Sequence, residues 1–202
     1  MNDSKHIHPV FDKILQRKDK ESFLNQQAKV IWMTGLSGSG KTTIAVALEK
    51  KLADMGYFTQ VLDGDNVRSG INADLSFTEA DRHENIRRIA EISKLFLNCG
   101  VITINCFVSP TEESRQQAKN IIGATDYVEV FVDTPIEECE KRDVKGLYKK
   151  ARAGEIKNFT GIDAPYETPM NPSLVLKTKD KSIEATIEEA IEHILPLIEQ
   201  PK

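Results

Sequence analysis

The residues with the clearest chemical meaning are Gly35-Leu36-Ser37-Gly38-Ser39-Gly40-Lys41-Thr42, three glycines followed by a lysine and a hydroxyl. Glycine permits the turns that aim successive backbone N–H groups at one anion. Gly, four residues, then Gly-Lys-Thr is the spacing of a loop that cradles nucleotide phosphates. On this reading Lys41 reaches the β- and γ-phosphates, the Thr42 hydroxyl holds Mg²⁺, and a following helix adds its positive N-terminal end. A Gly/Ser loop without a ligand would match the bare pattern, so the flanks decide. Val30-Ile31-Trp32-Met33 ahead of it reads as a buried strand, and Ile44, Leu48 and Leu52 after it recur at helical spacing.

A second reactive group lies further on. Tyr57 to Leu62 reads as a strand and runs into Asp63-Gly64-Asp65-Asn66, which sets two carboxylates at a strand's carboxyl end, where open α/β sheets bind ligands. A plain Asp-Gly turn would look the same in isolation. Arg82 and Asn85, three residues apart near the start of a helix, can meet one ligand together, although charged residues on a helix usually mark only its wet side. Ser109-Pro110-Thr111-Glu112 has the form of a capping box with Ser109 as N-cap, and Thr134-Pro135-Ile136-Glu137 repeats it. From Arg142 to Tyr166 the residues Arg142, Lys145, Lys149, Lys150, Arg152 and Lys157 concentrate positive charge. They suit either a solvated helix pair or a cover over an anionic ligand, with Gly146, Gly154 and Gly161 as hinges.

The elements that must position these groups follow from periodicity. Residues 1–28 form a polar arm, with His6 and His8 lacking partners at metal-ligand spacing. Gly56 stands where a left-handed cap would close the first long helix. The stretch from Asn66 to Thr78 is too polar for the core and reads as a loop. Ile86, Ile89, Ala90, Ser93 and Leu97 then line one helix face, with Asn85 and Arg88 away from it and Gly100 at the end. Val101 to Val108, Tyr127 to Val132 and Ser173 to Lys177 complete five strands, and Ile183, Ile187, Ile191, Ile194 and Leu195 mark a last helix that Pro196 can bend. Helix-length crossovers between strands imply an α/β fold, a parallel sheet covered on both faces.

Composition narrows the classes. The 202 residues are 40% hydrophobic and 29% charged, which suits one domain with a substantial core. A net charge of −4 gives no support to nucleic-acid binding, so any anion site is local. Cys99, Cys106 and Cys139 lack metal spacing and read as reduced core thiols. The first six residues lack the apolar run of a signal peptide and no stretch is long enough to span a bilayer, so the expectation is a cytoplasmic protein with no membrane partner. No Asn-Lys-x-Asp segment for reading guanine is present. A phosphate loop, an acidic pair, arginines beyond it and a basic cover fit a small kinase that shields the γ-phosphoryl from water.

The chain also resembles the adenylylsulfate kinases, which phosphorylate the ribose 3′-hydroxyl of adenosine 5′-phosphosulfate (APS) in sulfate activation. The likeness extends over nearly its whole length and rests on the runs 35–43, 62–68, 81–88, 108–110, 142–148 and 159–167. It implies a phosphate-loop NTPase fold in a single domain with a lid at about 142–167. It also implies ATP and Mg²⁺ as cofactors, with residues Gly35 to Thr43 and Arg142 on ATP, and Thr42 and Asp63 on the metal. Asp65 would orient or deprotonate the 3′-hydroxyl, while Lys41, Asp63 and Lys145 act beside the transferred group. Arg68, Arg82 and Asn85 would grip the phosphosulfate and ribose, with Phe77 and Phe159 around the adenine. Ser109 corresponds to a serine described as a candidate phosphoryl-enzyme intermediate, although direct in-line transfer needs no such relay. A homodimer and a functional link to an ATP sulfurylase are further implications. Thr111-Glu112 stands where the family commonly has an aromatic and an arginine, and Ser69 replaces a frequent histidine. A kinase of the same fold for another acceptor, such as a nucleoside monophosphate or shikimate, and a nucleotide-binding regulatory subunit without turnover are the rival readings.

Overall fold

The computed structural model describes residues 6–200. The reading of the first residues as unlike a signal peptide falls almost wholly outside this range. Five strands, β1 (Val30–Thr34), β2 (Thr59–Asp63), β3 (Ile102–Cys106), β4 (Tyr127–Asp133) and β5 (Leu174–Lys177), form one sheet in the order β2-β3-β1-β4-β5. Every pairing is parallel, as crossovers of helix length require.

Alternation along the strands assigns each face. Ile31 and Met33 of β1, Ile102, Ile104 and Cys106 of β3, and Val128, Val130 and Val132 of β4 pack against α2 (Lys41–Asp54) and α8 (Ile183–Ile198). Val30 and Trp32 point the other way, toward α4 (Glu79–Asn98) and α5 (Glu112–Ile122). Burial on both faces is why these strands read as nearly unbroken apolar runs. The short helices α1 (Arg17–Leu24), α3 (Gly64–Arg68), α6 (Ile136–Arg142) and α7 (Leu147–Arg152) complete the fold. Gly56, with φ of 89°, follows α2 as the expected left-handed residue.

Several local expectations are corrected. α5 begins at Glu112 and its cap is Thr111, whose hydroxyl accepts from Ser114 N at 3.2 Å. Ser109 instead sits before the helix at φ of 43°. Tertiary bonds take its polar atoms: Trp32 Nε1 donates to its Oγ at 3.0 Å and Arg115 Nη1 to its carbonyl at 2.9 Å. Thr134 does not cap α6 either, because its hydroxyl is drawn to Ser39 O at 2.9 Å and pairs with Thr178 Oγ1. The segment after Asp63 opens with α3 rather than pure loop, since the Asp63 side chain accepts from Asp65 N and caps that turn. Asn85 faces inward and is buried. Cys99, at the C-cap of α4, is exposed, whereas Cys106 and Cys139 are buried thiols.

Candidate active site

The carboxyl ends of β1, β2, β3 and β5 each lead into one cavity of about 850 Å³. β1 leads into the phosphate loop, β2 ends in Asp63, β3 precedes Ser109, and Thr178 follows β5. β1 lies between β3 and β4, so the chain leaves it at the point where strand order reverses, the place where such sheets bind ligands. Of the residues singled out from sequence, Ser37, Gly38, Ser39, Gly40, Lys41, Thr42, Thr43, Asp63, Asp65 and Arg68 line this cavity, as do Phe77, Arg82, Asn85, Ser109, Arg142, Lys145 and Phe159. Gly35 and Leu36 do not line it.

The loop's shape explains its composition. Gly35 has φ of 150°, and a Cβ there would stand 2.7 Å from the Val132 carbonyl oxygen. Gly38, at φ of 73°, would bring a Cβ to 3.2 Å from Cys139 O. A side chain at either position meets backbone, which cannot yield cheaply. Lys41 Nζ donates to Gly35 O and Leu36 O, both at 2.8 Å, so the ammonium is held under the loop. Burial lowers its pKa from the ordinary 10.5 to about 8. Burial pushes the neighbouring Cys106 thiol up to about 12, which leaves it inert.

Beside the loop, the Thr42 hydroxyl donates to Asp63 Oδ2 at 2.8 Å. A hydroxyl and a carboxylate in contact are hard oxygen donors suited to Mg²⁺, which takes few protein ligands and completes its shell with phosphates and water. Among the described residues no group of three His, Cys, Asp or Glu is placed to hold a metal ion. Arg142 Nη1 donates to Ser39 O at 3.3 Å and its Nη2 to Thr178 O at 3.5 Å, placing that guanidinium on the side where β5 ends.

The far wall carries cations and aromatic rings. The Arg68 guanidinium lies 4.4 Å from the centre of the Phe77 ring and donates to Leu75 O and Ser76 O. Its pKa is lowered, first by burial and then by the charge of Arg82. Two cations held near each other favour an anion between them. Arg82 Nε donates to Phe77 O at 3.0 Å, and its other nitrogens reach Thr160 Oγ1 and Asn158 O. This one side chain therefore ties the loop at Phe77 to the segment at Asn158 and Thr160. Phe159 meets Tyr148 edge-on at 5.0 Å, and Tyr148 OH donates to Ser37 O. Lys145 Nζ donates to Asp65 Oδ2 across the cavity.

The basic cover is narrower than its charge run implied. Arg142 and Lys145 line the cavity, whereas Lys149, Lys150, Arg152 and Lys157 lie outside it, and Arg152 pairs with Glu140 at 2.5 Å. Helical phase decides this: buried Tyr148 and Ala151 turn the charged residues of α7 toward solvent. Sequence reasoning missed Thr178 and Lys181, in the connection after β5, and Thr186 on α8, all of which line the cavity. The available signal was position, since Thr178 directly follows a strand's carboxyl end.

Comparison with known proteins agrees with this geometry. The family described as adenylylsulphate kinase matches residues 27–177. The adenylyl-sulfate kinase of Bacteroides thetaiotaomicron is 58% identical over 99% of this chain and 100% of its own, and that of Clostridium acetobutylicum is 52% identical over 96% and 97%. Among solved structures, the Mycobacterium tuberculosis APS kinase in complex with AMPPNP and APS aligns with a TM-score of 0.80 at 48% identity, covering 84% of this chain and 98% of that one. Family model, full-length relatives and fold agree: the chain belongs to the adenylylsulphate kinase family.

Proposed function

We propose that this protein transfers the γ-phosphoryl group of ATP to the 3′-hydroxyl of APS, giving 3′-phosphoadenylylsulfate and ADP. The observation that carries the reading is that one cavity is lined by the phosphate loop, by Asp63 and Asp65, and by Arg68, Arg82 and Asn85. Donor and acceptor then meet at the carboxylates. Backbone N–H groups of residues 35–43 and Lys41 hold the phosphates of ATP, with Arg142 toward its base. Arg68, Arg82 and Asn85 hold the phosphosulfate and ribose, and Phe77 and Phe159 flank the acceptor adenine.

Asp65 accepts the proton of the 3′-hydroxyl as its oxygen bonds to the γ-phosphorus and the bond to the β-phosphate oxygen breaks, releasing ADP. Lys41 and Lys145 offset the charge on the transferred group. Thr42 and Asp63 would hold Mg²⁺ together with the nucleotide, where the ion would neutralise phosphate charge. Direct transfer is favoured over a phosphoserine at Ser109, because that hydroxyl is buried and accepts the Trp32 indole N–H. The same reading makes the protein a cytoplasmic homodimer that receives APS from an ATP sulfurylase. No helix among the described residues is long and apolar enough to cross a membrane.

Incubation with Mg·ATP and APS tests the assignment, with 3′-phosphoadenylylsulfate detected by mass spectrometry and ADP release followed across acceptors. APS turning over no faster than nucleoside monophosphates or shikimate overturns it. ATP binding without acceptor-stimulated ADP would establish the regulatory alternative.

A further inference from the structure

We infer that Asn72, a residue outside the cavity, sets the polarity of Asn85 and so makes that side chain a hydrogen-bond donor to the acceptor substrate. The inference rests on the reading of Asn85 as an acceptor ligand given above. Asn72 is fully buried, and its Nδ2 donates to Asn85 Oδ1 at 3.0 Å. A carboxamide has one accepting and one donating edge. With the Asn85 oxygen engaged from behind, the edge left for the cavity that Asn85 lines is its pair of N–H groups. Those suit an acceptor rich in oxyanions and hydroxyls, alongside the forks of Arg68 and Arg82. A reversed Asn85 would present a carbonyl oxygen, which repels the oxyanions.

The local backbone does not depend on the Asn72 side chain. Its main-chain N–H donates to Val67 O, and its carbonyl accepts from Leu75 N. Arg88 Nη1 donates to Ile71 O and to Asp74, while Arg68 holds Leu75 O and Ser76 O. The Asn72 Oδ1 has no partner among the described residues, a burden that an apolar side chain of similar size would not carry. What the amide adds over such a side chain is its bond to Asn85. Asn72 is thus a positioning residue, acting through Asn85 and touching no substrate.

Steady-state kinetics with both substrates varied, together with a double-mutant cycle, tests this. Asn72→Leu is expected to raise the KM for APS about 10-fold or more while the KM for ATP stays within about twofold. In an Asn85→Ala background the same substitution is expected to change the KM for APS by no more than about twofold. Asn72→Asp, which replaces the donating group by an oxygen and rewards the reversed Asn85, is expected to raise the KM for APS further than Asn72→Leu. Equal rises for both substrates, an additive cycle, or an unchanged KM in Asn72→Asp overturns the inference. Should the variants fail to fold, the wild-type protein labelled with ¹⁵N-asparagine decides. The Asn85 side-chain NH₂ signal, assigned by its loss in Asn85→Ala, shifts on adding APS, and an unmoved signal rejects the donor role. Absence of APS turnover in the wild-type protein removes the proposed function itself, whereas turnover with an additive cycle removes only the role of Asn72.

Discussion

Lys41 gives the sharpest quantitative prediction, because its environment in the free protein opposes the charge that its role requires. Burial lowers its pKa to about 8 from 10.5. Between those values the unfolded chain binds this proton and the folded chain releases it, so the nucleotide-free protein gains stability as pH rises from about 8 to 10.5. The full penalty, about 3 kcal/mol, is present below that window. Nucleotide reverses the preference, since phosphate oxygens beside Nζ favour the ammonium. ATP affinity is therefore flat below pH ~8 and falls about tenfold per pH unit above it, with roughly half a proton taken up per nucleotide at pH ~8. Isothermal titration across this range, in buffers of differing ionisation enthalpy, measures both quantities. Lys41→Arg, charged throughout, is expected to remove the slope. A dissociation constant that stays within twofold from pH ~7 to ~9, with no dependence on buffer, refutes the reasoning.

Three other perturbations separate the roles assigned above. Asp65→Asn should keep ATP affinity and lose roughly 10²-fold or more in turnover, and full turnover in single-turnover assays would remove Asp65 as the base. Ser109→Ala leaves the buried Trp32 N–H without its acceptor, so chemical denaturation should show a loss of about 1–3 kcal/mol while turnover persists within about tenfold. Abolished turnover in a folded variant would instead support a covalent role for Ser109. Gly35→Ala forces a Cβ onto the Val132 carbonyl at φ of 150°, and should lower stability by about 2 kcal/mol or more and abolish binding of a fluorescent nucleotide. Normal binding would mean that the loop can change shape.

Much of this molecule could be read from the chain because the signals are local. The phosphate loop is contiguous, its lysine and threonine are fixed by sequence spacing, and the strands reveal themselves by apolar runs buried on both faces. The placement of Asp63 and Asp65 at the cavity was also legible, since a strand's carboxyl end is where such sheets bind ligands. Tertiary structure decided what depends on contacts distant in sequence. Ser109 looks like a helix cap until Trp32 and Arg115, from other elements, claim its hydroxyl and carbonyl. The charge run after Arg142 divides between cavity and solvent because Tyr148 docks on Ser37 and fixes the phase of its helix. The amide edge that Asn85 offers to the cavity depends on Asn72, thirteen residues before it and on no shared element. Spacing specifies which groups can reach a phosphate, whereas the direction each one presents is set by partners that only folding brings together.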